Sequence, residues 1–126
     1  IPSELGDLTK LIYLDFTRNS LRGSIGSEIG QLTDLEYLNL YGNSFTASIP
    51  SELGLLTGLE YLYLKQNELS GSIPNELGQL TNLEFLSIEK NNLSGRIPSA
   101  LCNSSGGIDI YIDCPEVEKC ACCYCI

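Results

Sequence analysis

The residues with the most chemical potential are six cysteines, Cys102, Cys114, Cys120, Cys122, Cys123 and Cys125, all in the last quarter of a 126-residue chain. Thiols this crowded can oxidise to disulfides in an oxidising compartment or, as thiolates, hold zinc. Zinc sites usually present paired C-x-x-C steps, whereas Cys122 and Cys123 are adjacent. The spacing therefore favours disulfides, and no metal site is expected. Six cysteines allow many pairings, and the sequence does not choose among them, although Cys102, upstream of the tail, is a sensible anchor for one tail thiol.

Other chemistry is excluded by what is missing. There is no histidine, which removes imidazole acid–base catalysis and the Ser/His and Cys/His nucleophile pairs. No nucleophile and base can be named, so neither an enzyme nor a cofactor is expected. Seven Lys and Arg against sixteen Asp and Glu give a formal charge of −9, which argues against nucleic acid or an acidic membrane as a partner. No apolar run approaches the roughly 18–20 residues that cross a bilayer, so no direct membrane insertion is expected from this segment. Two acidic columns, Glu36, Glu60, Glu84 and Glu4, Glu28, Glu52, Glu76, raise calcium as a ligand. The alternating carboxylate loop of a calcium cage is lacking, and the glutamates read as solvated.

The elements that position these groups follow from a repeat. Asn19, Asn43, Asn67 and Asn91 recur every 24 residues, as do Leu11, Leu35, Leu59, Leu83 and Leu14, Leu38, Leu62, Leu86. Phe16, Leu40, Leu64, Ile88 form another column, and so do Leu21, Phe45, Leu69, Leu93. Pro2, Pro50 and Pro74 align with Pro98, with Gly26 alone breaking step. Such periodicity is the mark of a stacked repeat array.

The segment Leu59 to Asn82, LEYLYLKQNELSGSIPNELGQLTN, resembles the leucine-rich repeat family in its plant-specific 24-residue version. The resemblance implies a right-handed solenoid with a parallel β-sheet on its concave face and short 3₁₀ turns and loops on its convex face. The residues give the reason. Each LxLxxN stretch alternates leucine inward with polar or aromatic outward, which predicts strands near 12–16, 36–40, 60–64, 84–88 and 108–112. A single coil cannot bury its leucines alone, so neighbours must stack. The four asparagines are read as a structural ladder, their amides bonding the backbone of their own and the adjacent coil. Residues 1–106 comprise the repeats, with a partial first repeat at 1–10 and four full ones over 11–106. Residues 107–126 hold a last strand and a cysteine-rich carboxyl cap. At the amino end IPSELGDLTK reads as half a repeat without a cap, which suggests trimming. The cysteine-rich tail is similar to caps of secreted leucine-rich repeat proteins of diatoms and related algae and departs from those of land-plant receptors.

Alternation places Tyr13, Asp15, Tyr37, Asn39, Tyr41, Tyr61, Tyr63, Lys65, Phe85 and Glu89 outward on the concave sheet. These are the candidate ligand-binding residues, because exposed aromatics offer rigid area with polar tips. The alternative is an aromatic stack of Tyr13, Tyr37, Tyr61 and Phe85 that merely covers the sheet. Arg18, Gly42, Gln66 and Lys90 flank this surface and vary between coils. The column Thr9, Thr33, Thr57, Thr81 is similar to the hydroxyl arrays of ice-binding solenoids, but its place in the repeat favours hydroxyl-to-backbone bonding. Asn92-Leu93-Ser94 and Asn103-Ser104-Ser105 fit the glycosylation sequon, with Asn92 and Asn103 as acceptors.

The sequence thus points to a non-enzymatic, secreted or cell-surface recognition module that holds a protein, peptide or glycan through its concave sheet. The resemblance adds inhibition of a secreted hydrolase. A further alternative is a structural protein assembling edge to edge through its uncapped first coil.

Overall fold

The computed structural model describes residues 1–103, 106–114, 117–118 and 120–126. The chain winds as a right-handed solenoid in which each coil contributes one strand to a concave sheet. These strands are β1 (Tyr13–Asp15), β3 (Tyr37–Asn39), β5 (Tyr61–Tyr63), β7 (Phe85–Ser87), β9 (Asp109–Ile112) and β11 (Cys123–Cys125), all parallel and in that order. Their register follows the repeat: Tyr13 lies beside Tyr37, Tyr37 beside Tyr61, and Tyr61 beside Phe85. The strands are shorter than the five residues expected. A second set of parallel strands runs along the side: β2 (Arg22–Ser24) pairs with β4 (Ser44–Thr46), while β6 (Ser70–Ser72), β8 (Asn92–Arg96) and β10 (Val117–Glu118) form a second group. The repeat pattern predicts no strand here.

The convex side carries 3₁₀ segments Ser3–Asp7, Ser27–Gln31, Ser51–Leu55 and Asn75–Gln79. Each is entered through an extended Pro2, Gly26, Pro50 or Pro74 with φ between −64° and −71°, a conformation proline fixes in advance. The leucine and isoleucine columns fill the interior. Leu38, Leu62 and Leu86 have 0 % exposure, whereas Leu11, Phe16 and Leu21 of the first coil are only partly buried. At the other end Ile110, Ile112 and Val117 close the core.

Three disulfides staple the tail: Cys102–Cys122, Cys114–Cys125 and Cys120–Cys123. The first ties the tail to the 3₁₀ segment Leu101–Asn103. Constraining the unfolded chain in this way stabilises by about 3 kcal/mol. The sulfurs of Cys102, Cys120 and Cys122 lie within 4.8 Å of one another, but each is already in a disulfide, so none is a thiolate available to a metal.

Coil spacing on the convex side is set by glycine. A Cβ on Gly54 would meet the carbonyl carbon of Glu76 at 2.8 Å and its Cβ at 2.9 Å. On Gly78 it would meet only side-chain carbons of Pro98 and Ala100, at 3.3 Å. Gly54→Ala is therefore expected to cost about 2 kcal/mol by overpacking, and Gly78→Ala well under 1 kcal/mol. Urea unfolding of the two variants checks the difference.

Candidate functional site

The concave face is built from the outward residues of the six-stranded sheet. Rings pack across it from coil to coil: Tyr13 stacks on Tyr37 at 4.3 Å between centroids, tilted contacts run from Tyr37 to Tyr63 at 5.5 Å, Tyr63 to Phe85 at 4.8 Å and Phe85 to Tyr111 at 5.3 Å, and Tyr111 stacks on Tyr124 at 5.2 Å. The ladder leaves the expected column at the third coil, where Tyr63 continues it. Tyr61 lies 6.1 Å from Tyr37 and donates its hydroxyl to Glu84 Oε2 at 2.9 Å. Flanked by rings on both sides, Tyr37, Tyr63, Phe85 and Tyr111 are half-buried, while Tyr13 at the end of the row is 57 % exposed.

Beside the rings lies an open cavity of about 400 Å³ lined by Tyr41, Tyr63, Lys65, Phe85, Glu89 and Tyr111 among others. At its floor the Lys65 ammonium meets Glu89 Oε1 at 2.8 Å, and Ser87 Oγ donates to Glu89 Oε2 at 2.7 Å. Glu89 was expected as an exposed polar contact; it is 2 % exposed, and both its oxygens are engaged. The other two polar candidates also hold the fold. Asp15 Oδ1 accepts from the Thr17 amide at 2.7 Å, and Asn39 Oδ1 from the Tyr41 amide at 3.0 Å, so both fix the turn that ends their strand. Asn39 Nδ2 further donates to the Tyr37 hydroxyl at 2.9 Å. The surface offered to a ligand is therefore aromatic and phenolic, with Lys65 as its central cation.

The Glu84 carboxylate pushes the Tyr61 hydroxyl up from its ordinary value, and burial does the same for Tyr63. Tyr41 is pulled down by the Arg18 guanidinium that donates to its oxygen at 3.0 Å. Lys65 is pushed up by its bond to Glu89 and stays charged.

Charge is segregated along the strand direction. At the amino ends of the strands stand Glu36, Glu60, Glu84 and Asp109; at and beyond the carboxyl ends stand Arg18, Lys65 and Lys90 together with Asp15, Glu89 and Asp113. The sheet lies between an acidic rim and a mixed one that carries the cations.

The ladder asparagines stitch the coils together behind this face. Asn43, Asn67 and Asn91 each donate from Nδ2 to a carbonyl of their own coil and one of the coil before, and each accepts an amide on Oδ1. Asn19 bonds only its own coil, at Phe16 and Thr17. The threonine column is exposed, and among the described residues its hydroxyls donate to no backbone carbonyl, contrary to the expectation. Asn92 and Ser94 are exposed on β8, and Asn103 is exposed at the end of its 3₁₀ segment; Ser104 and Ser105 of that sequon lie outside the described residues. Tyr111 and Tyr124 are the aromatic contributors missing from the sequence-derived list. For Tyr124 the usable signal was the C-Y-C alternation, which puts the ring outward beside Tyr111 on a sixth strand.

The profile of the leucine-rich repeat region matches residues 1–108. No curated protein gives a significant match. Among solved structures, a plant ice-binding protein is 40 % identical with a TM-score of 0.83, over 90 % of this chain and 37 % of that one. The ectodomain of the Arabidopsis thaliana membrane receptor kinase GASSHO1/SCHENGEN3, solved in complex with CASPARIAN STRIP INTEGRITY FACTOR 2, is 34 % identical with a TM-score of 0.80, over 90 % and 15 %. The Arabidopsis receptor kinase HAESA, in complex with the peptide hormone IDA and the co-receptor SERK1, is 39 % identical with a TM-score of 0.80, over 86 % and 18 %. The chain thus spans well under half the length of these structures. Among the described residues no helix is long and apolar enough to cross a membrane.

Proposed function

Because the chain belongs to the leucine-rich repeat family, we propose that it is an extracellular recognition module whose concave sheet holds a peptide or protein segment. The aromatic ladder carries this reading. A sugar stacks on an open ring face, but the central rings Tyr37, Tyr63, Phe85 and Tyr111 are half-buried and pack on one another at tilts of 32–45°. What remains for a ligand is ring edges and phenol hydroxyls, which suit the carbonyls and side chains of a polypeptide. The cavity beside Tyr63 and Tyr111 gives one side chain a place to anchor. Three disulfides favour an oxidising, extracellular setting, and the similar receptor kinase HAESA was solved in complex with a peptide hormone.

The test is selection of binders to the intact chain from a random peptide display library. Tyr63→Ala and Tyr111→Ala are each expected to weaken a selected peptide by about tenfold or more, measured by calorimetry. Undiminished affinity in both variants contradicts the concave reading.

A second reading rests on the side strands. Ser24, Thr46, Ser72 and Ser94 are exposed there, forming a hydroxyl-bearing parallel surface, and one structure similar to this chain is a plant ice-binding protein. If that surface orders water as ice does, the chain shows thermal hysteresis that Thr46→Lys and Ser72→Lys abolish. A wild-type solution without hysteresis removes this reading.

A further inference from the structure

One feature of the concave rim has no explanation in the fold. The residue after each outward strand turn adopts left-handed backbone: Arg18 at φ 50°, Gly42 at 70°, Gln66 at 55° and Lys90 at 58°. Glycine accepts this conformation freely, and Gly42 shows that the coil tolerates it. The other three are residues for which it is strained, and none is the Asn or Asp that eases it by local bonding. The backbone does not ask for them. It is held in place by main-chain bonds between coils, Arg18 N to Tyr41 O, Gly42 N to Lys65 O and Gln66 N to Glu89 O. Such strain concentrates at working surfaces; Ala47 also carries it beside the side strands, at φ 64°, so what marks the rim is the side chain placed on it. What the three share is a long side chain with hydrogen-bond donors, exposed beside the aromatic sheet.

The arginine is also aimed. A Cβ on Gly42 would meet Arg18 Cγ at 3.0 Å, so the glycine leaves room for the arginine stem to lie along the rim. Its guanidinium then sits 5.3 Å from the centre of the Tyr41 ring and bonds that hydroxyl at 3.0 Å. Arg18 and Lys90 stand three coils apart, about 14 Å at the spacing of neighbouring strands. An extended peptide advances about 3.4 Å per residue and alternates its side chains. Residues i, i+2 and i+4 therefore fall on one side, the outer two at very nearly that separation, while i+1 and i+3 turn toward Glu36, Glu60 and Glu84.

We propose that the concave sheet takes an extended peptide lying across its strands, with acidic residues at i and i+4 engaging the left-handed residues Arg18 and Lys90. This rests on the concave peptide reading and narrows it to a ligand chemistry. It accounts for basic side chains set at a strained position of a strongly acidic protein, where charge complementarity fixes direction and register more than affinity.

The experiment uses the intact chain and the peptides selected from the random display library. Selected peptides that lose affinity on Tyr63→Ala are expected to carry Asp or Glu at i and i+4. Replacing those acids by their amides weakens binding about fivefold per position. On the double variant Arg18→Gly/Lys90→Gly the same acid-to-amide change has no effect, while the melting temperature is not lowered, since glycine relieves the left-handed strain. Concave-binding peptides without acidic preference overturn the proposal and leave the concave reading standing, as does an acid-to-amide penalty unchanged in the double variant. Peptides indifferent to both Tyr63→Ala and Tyr111→Ala, or a library yielding no binder, overturn both.

Discussion

Asn67→Ala is expected to destabilise the chain by about 2–3 kcal/mol, well above the cost of removing the equivalent Asn19. Asn67 is 9 % exposed. Its Nδ2 donates to Leu40 O at 2.9 Å and Leu64 O at 3.0 Å, and its Oδ1 accepts from Phe45 N at 3.1 Å. Alanine strands the buried Phe45 amide, at roughly 1–3 kcal/mol, and takes one of two amide donors from each carbonyl, since Leu40 O keeps Asn43 and Leu64 O keeps Asn91. The Asn19 amide reaches only Phe16 O and Thr17 O of its own exposed coil, where solvent substitutes, so Asn19→Ala costs under about 1 kcal/mol. Denaturant unfolding of the two variants checks the contrast; similar losses would mean that the ladder does not couple the coils.

The second large effect lies inside the candidate site. Lys65→Met strands the Glu89 carboxylate, whose side chain is 3 % exposed, with only Ser87 as a partner. Removing one member of a buried pair commonly costs 3–5 kcal/mol. Because the Lys65 side chain is 32 % exposed, solvent moderates the loss, and about 2–3 kcal/mol is expected. Adding Glu89→Gln should recover most of it, giving a coupling energy of about 2 kcal/mol in a double-mutant cycle. A harmless Lys65→Met would show that Glu89 is reached by water and that the cavity floor is wetter than its geometry implies.

What the sequence disclosed depended on whether a feature shares the repeat period. The concave strands do: Leu14, Leu38, Leu62 and Leu86 are 24 residues apart and pair in that register, so inward leucines and outward tyrosines were legible at once. The side strands do not. Arg22 pairs with Ser44 and Ser70 with Asn92, a step of 22, and they are rich in Gly and Ser, which carry little strand propensity. The switch of the ladder from Tyr61 to Tyr63 depends on how two aromatic side chains of one strand share space, which no column reveals. Glu89 looked like an exposed acid because alternation reports the direction of a side chain and not what neighbouring rings cover. The tail strands β10 and β11 are placed by three disulfides, whose pairing spacing alone left open.

Hydroxyl-radical footprinting of the intact chain with and without a selected peptide tests the recognition surface most directly. Protection of Tyr37, Tyr63, Phe85 and Tyr111, with Leu55 of the convex side reacting equally in both states, is the result expected of a ligand seated in the hollow of the solenoid. Protection centred on Leu55 or on the side strands, with the four rings unchanged, would place recognition elsewhere and contradict it.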